Sequence, residues 1–142
     1  MKKKYKIGYT TGVYDMFHIG HLNLLKKAKE QCDYLIVGVT IDELVSYKKK
    51  IAIIPFEERL EIVKQISYVD EVVAQKNMNK MEAWEKYAFD AMFVGDDWKG
   101  SAAWHQFELE FAEVGVAIEY LPYTKGTSST QLRQTIQLIN GK

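Results

Sequence analysis

The run Tyr34-Leu35-Ile36-Val37-Gly38-Val39-Thr40 constrains this chain most, because an almost unbroken apolar segment of strand length suits a strand buried on both faces. Burial on both faces belongs to parallel sheets, whose strands are joined by crossover helices that cover each side. The preceding sequence supplies such a unit. Tyr5 to Thr10 is short, rich in β-formers and closed by Thr11-Gly12, so it reads as a first strand. Gly20 to Gln31 mixes apolar and basic positions at helical spacing and reads as the crossover helix. Strand, helix and strand then form a unit of right-handed sense.

The alternation continues to the end of the chain. Asp42 to Ser46 has room for a turn of helix, Tyr47-Lys48-Lys49-Lys50 is a charge run, and Pro55 starts a helix that carries Leu60, Ile62, Val63 and Ile66. Tyr68 to Ala74 reads as the third strand, Gln75 to Lys80 as a polar connection, and Met81 to Tyr87 as an amphipathic helix with Trp84 and Ala88 in the core. Ala91 to Val94 is the fourth strand, Trp104 to Glu113 a helix, Val116 to Leu121 the fifth strand and Ser128 to Ile139 the last helix. Ser128 stands three residues before Gln131, the spacing of a capping box. The expectation is an α/β protein: a single Rossmann-like, doubly wound domain over residues 1–142 with a five-stranded parallel sheet.

Composition narrows the partners. A formal net charge of zero gives no global electrostatic case for nucleic acid or an acidic membrane. The basic opening Met1-Lys2-Lys3-Lys4 is not followed by a long apolar run before Asp15, and no apolar stretch of spanning length occurs, so a cytoplasmic protein is expected. Cys32, the single cysteine, has no partner for an internal disulfide and is expected on the first helix at a buried position.

Chemistry concentrates after the first strand, in Gly12-Val13-Tyr14-Asp15-Met16-Phe17-His18-Ile19-Gly20-His21. Two of the three histidines stand here, at the start of the first helix. Gly20 between them allows close backbone approach to a ligand. A helix N-terminus presents unpaired N–H groups and the positive end of the dipole, which suits phosphate. Two imidazoles held there can donate to phosphoryl oxygens, and an adjacent anion favours their protonation near neutral pH. No Cys or His cluster completes a zinc set. The lysine run also follows a strand, on the edge where open α/β sheets bind ligands, and Ser128 and Thr130 repeat the helix N-terminus logic late in the chain.

The Gly12–His21 stretch, the segment Gly95-Asp96-Asp97-Trp98 and the late Tyr123-Thr124-Lys125-Gly126-Thr127-Ser128-Ser129-Thr130 together resemble the cytidylyltransferase branch of the nucleotidyltransferase superfamily. Within that branch the chain is most similar to the bacterial glycerol-3-phosphate cytidylyltransferases, from about residue 6 to residue 136. The resemblance implies transfer of a cytidylyl group from CTP, with magnesium, to a small phosphorylated alcohol, by a homodimer. It implies catalytic roles for His18, His21 and Lys48, with Lys48 and Arg59 on the acceptor side. Nucleotide contacts would come from Gly12, Val13, Tyr14, Asp15, Gly20, Lys50, Gly95, Asp96, Asp97, Trp98, Thr124, Gly126, Ser128, Ser129 and Thr130. The loop of Asp96 and Asp97 would accept from the exocyclic amine of cytosine. Asp15 could orient a histidine, approach a metal, or serve as a turn residue; Arg59 could equally be a site residue or a helix-surface cation.

Two departures bear on substrate. The family's late motif opens with arginine where this chain has Tyr123, and carries a glutamate where it has Lys125. A second arginine is usual where this chain has Ser67. Neither tyrosine nor serine reproduces the planar fork of a guanidinium, so Lys125 or Arg133 is left to compensate. The residues leave three alternatives open: another acceptor such as choline phosphate, ethanolamine phosphate, a phosphopolyol or a phosphosugar; ATP as donor; or a nucleotide-binding module without turnover.

Overall fold

The computed structural model describes residues 3–47, 52–96, 99–122 and 129–140. Strand β1 (Tyr5–Gly12) leads into helix α1 (Ile19–Glu30), β2 (Cys32–Thr40), the short α2 (Asp42–Tyr47) and α3 (Phe56–Lys64). Then follow β3 (Glu71–Gln75), α4 (Lys80–Tyr87), β4 (Ala91–Gly95), α5 (Ala102–Glu113), β5 (Ala117–Leu121) and α6 (Ser129–Asn140). The five strands form one sheet in the order β3-β2-β1-β4-β5, and each recorded pairing is parallel. This is the doubly wound arrangement expected from the apolar runs.

Alternation along the strands divides the core between the two faces of the sheet. On one face Leu35, Val37 and Val39 of β2 pack with Leu25 and Ala28 of α1 and Val63 of α3. On the other, Tyr9, Ile36, Met92 and Val94 pack with Phe89, Trp104 and Phe111, from the end of α4 and from α5. β2 is therefore covered on both sides, which is why its sequence is apolar throughout.

Three readings are corrected. Cys32 is the first residue of β2 rather than part of α1: Tyr5 pairs with it, and its buried Sγ lies 3.4 Å from the Ala28 carbonyl. The third strand starts at Glu71, not Tyr68, because Asp70 turns the chain into the sheet: its N–H donates to the Leu35 carbonyl, and its carboxylate accepts from Leu35 N. Ala88 is exposed, not core; it ends α4 in the left-handed conformation (φ 51°), and Phe89 takes the buried place.

The strand order reverses between β1 and β4, so their carboxyl ends flank the topological switch point, the crevice where open α/β sheets bind ligands. The histidine loop leaves β1 there, and Gly95-Asp96 leaves β4 beside it.

Candidate functional site

Residues 13–18 connect β1 to α1 by a tight path. Tyr14 (φ 56°) and Met16 (φ 50°) both adopt the left-handed conformation, which side chains other than glycine take up at a cost. Between them Asp15 is 1% exposed. Its carboxylate accepts from Ile53 N and Ile54 N, each at 2.9 Å, and from Arg133 Nη2 at 3.3 Å. One buried carboxylate thus joins the histidine loop, the segment before α3, and α6. The Tyr14 ring lies over Gly12: a Cβ there would stand 2.9 Å from two ring carbons, so the loop needs glycine at position 12.

The histidines cap α1 with their own rings. His18, in extended backbone, is the N-cap, and its Nδ1 accepts from Gly20 N at 3.0 Å. His21 Nδ1 accepts in turn from His18 N at 3.3 Å. A ring nitrogen that accepts from a backbone N–H carries no proton, so each neutral imidazole keeps its proton on Nε2, as a donor. The ring centroids are 4.0 Å apart. Burial lowers the pKa of His18, and burial together with His18 lowers His21 to about 4, with Asp15 opposing and Arg133 reinforcing the shift. Without a ligand both rings are neutral at pH 7. A bound anion works against that shift by favouring the charged form.

Arg59 is neither a surface cation nor a group directed at open solvent. It is fully buried, with Nε donating to the Ile54 carbonyl at 2.8 Å and Nη1 to the Val13 and Thr40 carbonyls at 2.7 and 2.8 Å. Nη2 meets Asp42 Oδ1 at 2.6 Å, and Asp42 Oδ2 accepts from Phe56 N at 3.1 Å. Burial opposes the charge on Asp42, but the bonds from Phe56 N and Arg59 outweigh it and lower its pKa. The acceptor-side reading of Arg59 is therefore corrected: its guanidinium is occupied by protein, holding the end of β2, the histidine loop and the segment before α3 together.

The cytidylyltransferase-like family model matches residues 9–135, a span that includes the histidine loop, both arginines and the end of β4. The chain belongs to the cytidylyltransferase-like family. It is 40% identical over 126 residues to a glycerol-3-phosphate cytidylyltransferase of Bacillus spizizenii, covering 88% of this chain and 92% of that protein. It is 32% identical over 142 residues to an FAD synthase of Thermococcus sibiricus, covering 98% of this chain and 96% of the other. Among solved structures, a lipopolysaccharide core biosynthesis protein from Thermoplasma volcanium superposes with a TM-score of 0.72 at 24% identity, over 87% of this chain and 99% of its own; this likeness concerns the fold.

Within this cytidylyltransferase-like domain, Gly12, Val13, Tyr14, Asp15, His18, Gly20 and His21 follow one another from the end of β1 through the connection into the first turn of α1, and Gly95 and Asp96 stand at the end of the neighbouring strand β4. Lys48, Lys50, Asp97, Trp98, Thr124, Gly126 and Ser128 lie outside the described residues; for Ser129 and Thr130 the backbone is described, as the first turn of α6. Among the described residues, no group of three or more His, Cys, Asp or Glu could hold a metal ion. Asp15, whose charge acts on His21, is engaged by two N–H groups and a guanidinium.

No local pattern along the chain announces one feature of the domain. A cavity of about 110 Å³ opens by the carboxyl ends of β1 and β3, on the α4 side of the sheet, lined by Tyr9, Thr11, Gln75, Asn77, Lys80 and Tyr87 among others. Lys80 is buried at the first position of α4, its Nζ 4.9 Å from the ring centroid of Trp104 and 4.8 Å from that of Phe107. The available signal was a polar connection following a parallel strand.

Proposed function

We propose that this chain transfers the cytidylyl group of CTP to a small phosphorylated alcohol, with glycerol 3-phosphate the first candidate, and releases pyrophosphate. A phosphate oxygen of the acceptor attacks the α-phosphorus, the bond from that phosphorus to the bridging oxygen breaks, and its electron pair leaves with pyrophosphate. No enzyme nucleophile is needed, because such transfers depend on positioning and electrostatic stabilisation. The observation that carries the reading is the histidine pair. Both Nδ1 atoms are engaged by backbone, so both Nε2–H groups are donors at a helix N-terminus beside the switch point. Donors of fixed tautomer meet developing negative charge without rearranging, and that preorganisation is where the rate gain arises.

Magnesium-bound CTP is the donor substrate in this reading. Lys48 and Lys50 would add charge at the triphosphate, and Asp96 and Asp97 would receive the cytosine amine. The chain would work as a cytoplasmic homodimer without nucleic acid; no described helix is long and apolar enough to cross a membrane. The likeness to an FAD synthase over 98% of the chain favours testing a second donor, ATP, beside CTP. The test is pyrophosphate release from each donor with magnesium, across glycerol 3-phosphate, choline phosphate, ethanolamine phosphate, a phosphopolyol and a phosphosugar. Turnover with CTP and one acceptor, abolished by His21→Ala, is expected. Binding of CTP with no release from any acceptor would instead make the chain a nucleotide-binding module.

A further inference from the structure

The start of the histidine loop is held at three residues from other parts of the chain. The Asp15 carboxylate accepts from Ile53 N and Ile54 N, and the Val13 carbonyl accepts from Arg59 Nη1 at 2.7 Å. The Gly12 carbonyl lies 3.2 Å from Thr40 Oγ1, at the carboxyl end of the neighbouring strand β2. Thr40 is 1% exposed, and its hydroxyl also stands 2.6 Å from Oε1 of Gln75, the last residue of β3. Side-chain contacts thus cross the carboxyl ends of three adjacent strands, from the cavity that Gln75 lines to the residue where the histidine loop begins.

The hold on Gly12 is a shared one. A hydroxyl has one hydrogen, so Thr40 donates at any moment either to Gln75 Oε1 or to the Gly12 carbonyl. The shorter distance makes Gln75 the stronger competitor. At the other end of the amide, Gln75 Nε2 meets Met78 Sδ at 3.6 Å, a weak acceptor, so little opposes a half-turn that sets the NH2 group against Thr40. After that turn Gln75 donates to Thr40 Oγ1, and the hydroxyl hydrogen is left for Gly12.

The position of Gly12 reaches the histidines through one ring. A Cβ on Gly12 would stand 2.9 Å from two ring carbons of Tyr14, and the same ring meets His21 edge-on at a centroid distance of 5.4 Å. Tyr14 is 3% exposed and closely packed, so a shift of Gly12 is passed on rather than absorbed.

We infer that Thr40 is a positioning residue for the histidine pair: its hydroxyl pins the Gly12 carbonyl and, through Tyr14, fixes the direction of the His21 Nε2–H donor. Gln75 competes for the same hydrogen from the cavity side. The inference rests on the cytidylyl-transfer reading for the reaction that the donors serve.

The experiment compares wild type with Thr40→Val, Thr40→Ser and Gln75→Leu. Two readouts are taken: ring-nitrogen NMR of both histidines without ligand, and kcat and KM for CTP with the acceptor that turns over best. Valine matches threonine in shape, so the fold is kept. Thr40→Val should lower kcat about tenfold while KM for CTP stays within about threefold, because a small displacement of donors costs transition-state stabilisation more than binding. Its His21 ring signals should depart from the Nε2–H tautomer. Thr40→Ser, which keeps the hydroxyl, should restore most of both. Gln75→Leu leaves the hydrogen wholly to Gly12 and should keep the wild-type ring signals and a kcat near that of wild type. Unchanged ring signals in Thr40→Val would overturn the inference whatever its kcat, as would an unchanged kcat in an active enzyme. Equal losses in Thr40→Ser or Gln75→Leu would overturn it too, since packing rather than the hydroxyl would then be what acts. Ring signals that move in Thr40→Val and return in Thr40→Ser, in a wild type that turns over no acceptor, would keep the positioning role and remove the cytidylyl reading.

Discussion

Replacing Arg59 by methionine removes all four of its hydrogen bonds at once: those to Ile54 O, Val13 O, Thr40 O and Asp42 Oδ1. Methionine retains much of the aliphatic stem, so the loss is mainly polar. Each buried acceptor left unpaired costs about 1–3 kcal/mol, but solvent can reach the Asp42 end, where that side chain is 44% exposed. The three carbonyls therefore dominate, and partial rehydration brings the expected loss to about 3–5 kcal/mol, the range for breaking a buried charged network. For a domain of this size each kcal/mol lowers Tm by roughly 3 °C, so a fall of about 10–15 °C is expected. Urea unfolding and thermal melting of wild type, Arg59→Met and Arg59→Lys measure it, with lysine intermediate because it can reach only some of the acceptors. A loss below about 1 kcal/mol for Arg59→Met would refute the reasoning, since it would mean that the three carbonyls find other partners at no cost.

Acid should destabilise the protein through His21, whose folded pKa of about 4 lies below the ordinary 6.5. Its contribution is fully present above pH 6.5 and is lost as pH falls towards 4, because the unfolded chain binds the proton first; about 3 kcal/mol should disappear across that window, and His21→Gln should flatten the urea-midpoint profile there. Gly12→Ala places a methyl group 2.9 Å from the Tyr14 ring, so a cost of about 1–3 kcal/mol and a changed near-ultraviolet spectrum from the displaced aromatic are expected. Ala88→Gly relieves a left-handed residue at the exposed end of α4 and should raise stability by about 0.5–1 kcal/mol in urea titration, since no packing is lost.

Local periodicity and turn chemistry carried most of the architecture. The apolar β2, the strand–helix alternation and the histidines at the start of α1 each depend on neighbouring residues, so they were legible in the sequence. What escaped notice depends on partners distant along the chain. Asp15 meets Ile53, Ile54 and Arg133, and Arg59 meets Val13 and Thr40, contacts that no local pattern announces. A lone arginine on a helix that begins with two glutamates reads as a surface or site cation; only the fold shows three segments converging on it. Position 88 was misread for a related reason: alanine is a strong helix former, and only the backbone path shows it ending the helix left-handed. At the histidine loop, the motif indicated phosphate chemistry, while the tautomers followed from the two backbone N–H groups that fill the Nδ1 atoms.

The most direct test of cytidylyl transfer is phosphorus NMR of CTP, magnesium and glycerol 3-phosphate incubated with wild type, His18→Ala and His21→Ala. The expected result is stoichiometric appearance of a diphosphodiester and pyrophosphate, with each histidine variant slower by about a hundredfold or more, as when a transition-state donor is removed. Hydrolysis of CTP without a diphosphodiester, or wild-type rates in both histidine variants, would contradict the assignment of this site to cytidylyl transfer.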